Sequence, residues 1–591
     1  MNQRVRILFF LLMIFLPEGI TLCSAQAQFP LSADKIAGDI KKMMKKQAIP
    51  GVAIALVNED GIIWTQTFGY SDVANKIPVT EHTLFNVGSL TKLFTTVATL
   101  QLIERNYIGI NFPYTQYVPE FSFNARNNDI TDITVRGLLT HYAGLPSNYI
   151  DGCISENPID MREMLPSCTT EYLAFPPGFV YCYSNLGYSL LGVLIEKMST
   201  IRYEDYVRYN ILMTLGMNET GFTNENDFTA KLSKQYASGK EIPFFPIRDI
   251  AAGGICSSIS DMSLFAIDML NENDSKLLNN ESFNNMYAPQ YQDAPFNFDF
   301  TKGLGWSLRG LSVTAGENLD YLGNIATHGG SNQLFNSKII LALDHNLGVV
   351  VLMNSNNYNE PAGKIGVACL KYAVEEKTGM KKPVTENYFA TDSISNTLEL
   401  SGSYATPWGF MEIKKSGKDF LEAEVLGMKF RVDFINEQKA FQLKYEIGKR
   451  LAISVKQLKD FYFHLEKVNY AHVLVLYKDG LREYFANKIY SSEISAEWEN
   501  RIGSYSPEHE SKDPSIITNV SLISRDNFLI LQLDVPGFFV EKFQMAIYPL
   551  DKNKAYIMGN GSVYGDILKF YEKGTDTFFN YAGLIMTKDQ N

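Results

Sequence analysis

The chain has 591 residues, more than one hydrophobic core can serve, and its length predicts about three or four domains. It carries 53 Lys and Arg against 65 Asp and Glu, a net charge of -12 with no basic cluster, which argues against nucleic acid as a partner. Cys153, Cys168, Cys182, Cys256 and Cys369 follow the N-terminal segment. An odd number is no disulfide framework, although Cys153 and Cys168 bracket a turn-rich loop and could pair in an oxidising compartment.

The N-terminus reads as an export signal. Arg4 and Arg6 precede the apolar residues 7–16, then Pro17 and the small-residue site Ala25-Gln-Ala27, so residues 1–27 are expected to be a signal peptide. Leu22 stands where lipidation at Cys23 would need a small residue, which favours cleavage after Ala27. No later stretch is long and apolar enough to span a bilayer. The mature chain is therefore expected to be exported, periplasmic or secreted, with no transmembrane span.

Residues 32–48 predict a lysine-rich amphipathic helix ending at Pro50. The apolar runs 52–57 and 62–68, separated by Asn58-Glu-Asp-Gly61, predict a hairpin. The stretch from Asn86 to Glu104 follows, apolar at nearly every helical repeat from Leu90 onward, as befits a helix buried in the middle of a domain. Its first turn carries Ser89 and Lys92, three apart and on one face. A buried lysine is costly unless paired or lowered in pKa, and either outcome suits a base that activates a serine. The plain alternative is a serine cap followed by a snorkelling lysine.

Beyond the central helix come short helices and loops to about residue 300. A second hairpin, 337–343 and 348–353 around Asp344-His-Asn346, and a helix over 363–377 close this part. First and last strands flanking a helical middle imply one α+β domain whose sheet is built from both chain ends. After about residue 398 the texture changes to short alternating runs that read as antiparallel strands. Leu400-Ser-Gly-Ser-Tyr404 matches Arg501-Ile-Gly-Ser-Tyr505, so two all-β modules, each a small barrel, are expected. The expected boundaries are 28–380 for the α+β domain, 381–397 for a linker, and 398–495 and 499–591 for the modules.

Two further stretches carry candidate chemistry. Tyr183-Ser-Asn185 lies at a turn into an apolar helix. A tyrosine near a lysine ammonium could shift toward its phenolate and shuttle protons, and an asparagine can hold a substrate amide. The alternative is an aromatic loop on the core with Asn185 as a helix cap. His328-Gly-Gly-Ser331 precedes the late hairpin, and its adjacent glycines allow close backbone approach. His82, His141, His345, His464, His472 and His509 form no metal-ligand spacing, and no metal or cofactor is implied.

Taken together and in this order, these residues resemble the serine β-lactamase-related hydrolases: class C β-lactamases, D-Ala-D-Ala carboxypeptidases, D-aminopeptidases and β-lactamase-fold esterases. The motifs are Ser89-Leu-Thr-Lys92, Tyr183-Ser-Asn185 and His328-Gly-Gly330. Residues 133–146, Leu215-Gly-Met217, Ala251-Ala-Gly-Gly254 and Gly303-Leu-Gly-Trp306 support them. The resemblance implies a β-lactamase/transpeptidase-like α+β domain and an acyl-enzyme hydrolase. It implies Ser89 as nucleophile, Lys92 and Tyr183 sharing general-base duty, and Asn185 holding the acyl side chain. Backbone N–H groups of Ser89 and Ser331 would form the oxyanion hole. His328 and Gly329 replace the lysine and hydroxyl that flank the carboxylate in β-lactamases, which favours esters, or amides without a nearby carboxylate. An esterase or D-amino-acid peptidase or amidase is thus expected ahead of a β-lactamase. Its substrate would be a small molecule or peptide, cell-wall fragments among them. The rival expectation is a non-catalytic cell-envelope binding protein on the same scaffold.

Overall fold

The computed structural model describes residues 33–125, 133–355, 361–384, 397–416, 420–435, 440–447, 451–453, 458, 460–507, 519–534 and 542–590. The expected signal peptide, Cys23 and most of the expected linker lie outside the described residues.

The first domain opens with helix α1 (Ala33–Gln47), strands β1 (Gly51–Asn58), β2 (Gly61–Asp72) and β3 (Ile77–Pro78), and the central helix α2 (Thr91–Glu104). Helices α3 (Asn185–Ser199) and α4 (Ile259–Asp268) follow. Strands β4 (Thr301–Lys302), β5 (Ser307–Arg309), β6 (Ile325–Asn332), β7 (Phe335–Ala342) and β8 (Leu347–Met353) then lead to helix α5 (Pro361–Thr378). The eight strands form one sheet in the order β3-β2-β1-β8-β7-β6-β5-β4, so the first and last segments of the domain meet at β1 and β8. The hairpin at 58–61 is closed by Asn58 Oδ1, which accepts from the backbone N–H groups of Asp60 and Gly61.

Strand alternation sorts β1 between two cores. Val52, Ile54 and Leu56 pack with α1 and α5 through Ile36, Ile40, Ile365 and Leu370, while Ala53, Ala55 and Val57 face the central helix. Because both faces are covered, β1 is apolar throughout rather than alternating. Helix α5 begins at Pro361, earlier than the apolar pattern predicts, because proline fits a first helical turn, where its missing N–H costs nothing.

Every residue of α2 from Thr91 to Leu102 is buried. Its hydroxyls are satisfied locally: Thr95, Thr96 and Thr99 each donate to the carbonyl four residues back. The Thr95 hydroxyl shares its hydrogen with the closer Ala251 O, at 2.6 Å, and the backbone N–H of Ile255 donates to Thr91 Oγ1. The Ala251–Gly254 stretch thus lies against the first turns of α2.

Two closed antiparallel barrels of eight strands follow. The first runs from Gly402–Thr406 to Leu481–Ile489, closes between Met428–Ile435 and Ala440–Ile447, and carries Leu451–Ile453 as an extra strand. The second runs from Gly503–Pro507 to Leu584–Lys588. The sequence repeat is a structural one. Tyr404 OH donates to Leu400 O and Tyr505 OH to Arg501 O, each at 2.6 Å. Lys488 folds over Gly402 onto Ser401 O, as Lys588 folds over Gly503 onto Asn500 O. One apolar cluster joins the second barrel to the first and to Phe175, Val180 and Cys182 of the first domain. No helix among the described residues is long and apolar enough to cross a membrane.

Candidate active site

The turn before α2 sets the geometry. Residues Gly88–Leu90 form a single 3-10 turn, anchored by Gly88 N donating to Asn86 Oδ1 and by Thr91 Oγ1 donating to Gly88 O. Gly88 has φ +53°, and a Cβ there would sit 2.7 Å from the backbone nitrogen of Ser331. Only glycine lets this turn press against β6. Gly330 is held as tightly: a Cβ would lie 2.0 Å from Ser337 Oγ and 2.1 Å from Val87 O.

Ser89 does not cap the helix, since no side chain caps this turn or α2. Its Oγ instead lies 2.7 Å from Tyr183 OH, which donates to it, and 3.1 Å from Lys92 Nζ. Lys92 does not snorkel either. It is fully buried, and Nζ donates to Asn185 Oδ1 and Ala252 O, both at 2.7 Å. Asn185 is free for this because Ser184 caps α3, accepting from Gly187 N. The Asn185 amide donates onward to Asn148 Oδ1.

Burial holds Lys92 well below the ordinary lysine value, partly opposed by Asp249 and reinforced by Lys302. Tyr183 moves opposite to the expectation of a phenolate. Removal from water pushes its phenol up, and the hydrogen bond to Ser89 offsets only part of this. The tyrosine is therefore a protonated donor beside an amine that tends toward neutrality. His328, whose Nδ1 lies 2.7 Å from Gly329 O, is held well below its usual range by burial and by Lys302 and Lys92, so its imidazole is neutral.

These groups surround one cleft of about 450 Å³, lined by Ser89, Tyr183, Asn185, His328, Gly329, Gly330 and Ser331. Every sequence-predicted site residue except the buried Lys92 is on its wall, and Lys92 stands directly behind Ser89. Gly329 and Ser331 are exposed in the cleft while Gly330 packs inward, the alternation expected along β6.

The profile of the family described as Beta-lactamase matches residues 36–368. The chain belongs to the β-lactamase family. Among relatives of this β-lactamase-family chain, Protein flp of Staphylococcus aureus strain N315 is 27% identical over 338 residues, 56% of this chain and 64% of the relative. The chain thus spans slightly less than two thirds of that protein. Penicillin-binding protein 4* of Bacillus subtilis strain 168 is 26% identical over 340 residues, covering 54% of this chain and 70% of the relative. The octameric penicillin-binding protein homologue from Pyrococcus abyssi aligns with a TM-score of 0.52 at 23% identity, over 77% of this chain and 99% of that one. SurE aligns with a TM-score of 0.55 at 19% identity over the same shares. At these identities the structural matches establish the fold.

Three residues of the site were not singled out by the sequence. His141 accepts from Ser184 N through Nδ1 and packs 4.4 Å from the Tyr183 ring, fixing the tyrosine's approach. Its left-handed φ of 65° ends the helix Val135–Thr140. Lys302, the residue before the Gly303–Trp306 match, lines the cleft. Ser562 of the second barrel accepts from Tyr183 N at 3.1 Å. The possible Cys153–Cys168 bridge is corrected as well: the two thiols are not joined, since Cys153 donates to Asp249 Oδ2 while Cys168 is buried in the core of the first domain.

Proposed function

We propose that this protein is an exported serine hydrolase that cleaves esters or amides through an acyl-enzyme on Ser89. The observation that carries the reading is the position of Ser89 Oγ between Tyr183 OH at 2.7 Å and Lys92 Nζ at 3.1 Å, with Lys92 disfavoured as a cation. A neutral amine has two N–H groups and one lone pair. Asn185 Oδ1 and Ala252 O take the two hydrogens, which leaves the lone pair for the Ser89 proton.

In the first step Ser89 Oγ attacks the carbonyl carbon while its proton passes to Lys92. The developing oxyanion is held by the backbone N–H groups of Ser89 and Ser331, the first at a helix start. Tyr183 then supplies its proton to the leaving alcohol or amine and recovers one from Lys92. Water, deprotonated by the same pair, releases the acid. Asn185 holds the acyl side chain. The neutral His328 and the bare Gly329 favour an esterase or a D-amino-acid peptidase or amidase over a β-lactamase. Export rests on the pattern of residues 1–27 and places the enzyme in the periplasm or outside the cell.

A fluorophosphonate probe tests the reading directly. The wild type should be labelled covalently, and Ser89→Ala should not. A wild type that resists labelling at every pH would sink the hydrolase reading and leave a binding protein on a hydrolase scaffold. High kcat/KM on nitrocefin with no turnover of short p-nitrophenyl esters would reverse the order of substrate classes.

A further inference from the structure

The cleft holds a cation that no motif supplies. Lys302 ends β4, at the edge of the sheet, and its side chain lines the same cleft as Ser89 and His328. Nζ donates to Gly305 O at 3.1 Å and Ser307 Oγ at 3.3 Å. An ammonium has three donors, so one remains without a protein partner among the described residues, and none of their carboxylates pairs with it. Gly305 cannot yield this position. It has φ +77°, and a Cβ there would meet Thr96 Oγ1 at 2.5 Å, so the strand connection carrying Lys302 is seated on α2.

The surroundings offer no counter-charge. Lys92 stands on α2, His328 on β6, Lys338 on β7, His141 at the end of its short helix, and Tyr181 lies 5.9 Å beneath the amine. All are cations or neutral groups. An unpaired buried cation is expensive, and the expense is recovered when a ligand brings the opposite charge.

We propose that Lys302 is the anion-binding residue of the cleft, and that the substrate carries a carboxylate near the ester or amide bond that Ser89 attacks. This deepens the hydrolase reading above and rests on it. The argument from His328 considered only the cation of the motif; Lys302 reaches the same space from a different strand and supplies the charge that the motif position lacks. Burial and Lys338 bring Lys302 down to about 7 in the empty cleft, so it is half charged near neutrality and would charge fully against a bound carboxylate.

The test uses two matched substrate pairs. One is a p-nitrophenyl ester with a neutral acyl chain against the hemisuccinate ester of p-nitrophenol, which places the carboxylate on the acyl side. The other is a D-Ala-D-Ala peptide against its C-terminal amide, which places it on the leaving side. The quantity read is the ratio of kcat/KM for the anionic over the neutral member. The wild type should favour the anionic member of at least one pair, and Lys302→Met should cut that ratio about tenfold or more, as loss of one charge-assisted hydrogen bond implies. In the wild type the ratio should fall as pH rises through about 7, and in the variant it should be flat. Charging of Lys92 or His328 would also favour the anionic member, but both are held well below their usual ranges and both remain in Lys302→Met, so the step near 7 that the variant loses belongs to Lys302. A wild type indifferent to the carboxylate in both pairs overturns the proposal whatever the variant does, as does an unchanged ratio in Lys302→Met. Fluorophosphonate labelling separates the two failures. A labelled wild type without preference defeats only the role of Lys302, whereas an unlabelled one defeats the hydrolase reading and this proposal with it.

Discussion

The two barrels share a closure and differ in what they hold. Each has its Gly-Ser-Tyr strand, its tyrosine bonded four residues back and its lysine folded over the glycine. The first barrel grips the Asp299–Asn318 stretch: Arg482 N donates to Asp299 Oδ2, Ser312 N to Glu483 Oε2, and Asn318 Nδ2 to Asp479 O. That stretch includes Lys302 and Val313 of the cleft wall. The second barrel grips the stretch that carries Tyr183: Ser562 Oγ accepts from Tyr183 N, Gly561 O from Cys182 Sγ, and Ser147 Oγ from Val563 N. The duplicated scaffold thus reaches two parts of the cleft wall by different means: the first barrel through the start of its Leu481–Ile489 strand and the turn before it, the second through the loop between its Lys554–Ile557 and Ile567–Lys573 strands.

If the walls divide this way, damage on the Tyr183 side should lower every activity, and damage on the Lys302 side should change selectivity. The largest effect expected is that of Tyr183→Phe. It removes the proton donor that touches Ser89 and should lower kcat/KM about 10²–10⁴-fold on neutral and anionic esters alike, as loss of acid–base catalysis does. A selective loss would show that the tyrosine recognises the substrate instead. Next comes Gly565→Ala in the second barrel. Gly565 has φ +78°, and a Cβ would lie 2.5 Å from Ala174 O, so the substitution strains the contact between barrel and first domain. The cost should be about 1–3 kcal/mol, read as a lower Tm, with kcat reduced on all substrates and the anionic-to-neutral ratio unchanged.

Much of this was legible in the sequence, for identifiable reasons. Ser89 and Lys92 lie three residues apart on one helix, so their meeting is a local fact. The hairpin at Asn58–Gly61 and the barrel repeat are local too. Lys302 was invisible because nothing in its neighbourhood says that its side chain turns to the cleft, and it lay just outside a stretch matched for its glycines. Ser562 is 379 residues from Tyr183 and is one serine among many. Two physical readings went astray for opposite reasons. The Cys153–Cys168 spacing suggested a bridge, but the fold sends Cys153 to Asp249. The nearness of Lys92 suggested a phenolate at Tyr183, but removal from water outweighs that attraction and disfavours the charge on the lysine as well.

The Lys302 wall also makes a prediction about pH. The charge on Lys302 helps to hold Lys92 below its ordinary value, so Lys302→Met should let Lys92 rise. On the proposed mechanism the neutral amine is the base, so the acid limb of the kcat/KM profile for a neutral ester should move to higher pH. A limb that stays in place or moves down would mean that Lys302 does not act on the base.

The smallest effects sharpen the division between barrels most. Ser562→Ala removes one neutral acceptor from Tyr183 N at a place water can reach, and such a bond contributes about 0.5–1.5 kcal/mol. It should therefore lower kcat only a few-fold, equally for neutral and anionic esters. Glu483→Gln weakens the bond from Ser312 N, which props the loop that carries Val313 toward Lys338. Its effect on kcat should be slight, but the anionic-to-neutral ratio should shift a few-fold, because that loop holds Lys338, whose charge acts on Lys302. The two variants are of similar size and lie in equivalent barrels, so the comparison does not depend on how much stability either removes. If both changed kcat alone, the barrels would be two props of one rigid site. If each moves its own quantity, the duplication has given the enzyme separate supports for catalysis and for choice of substrate.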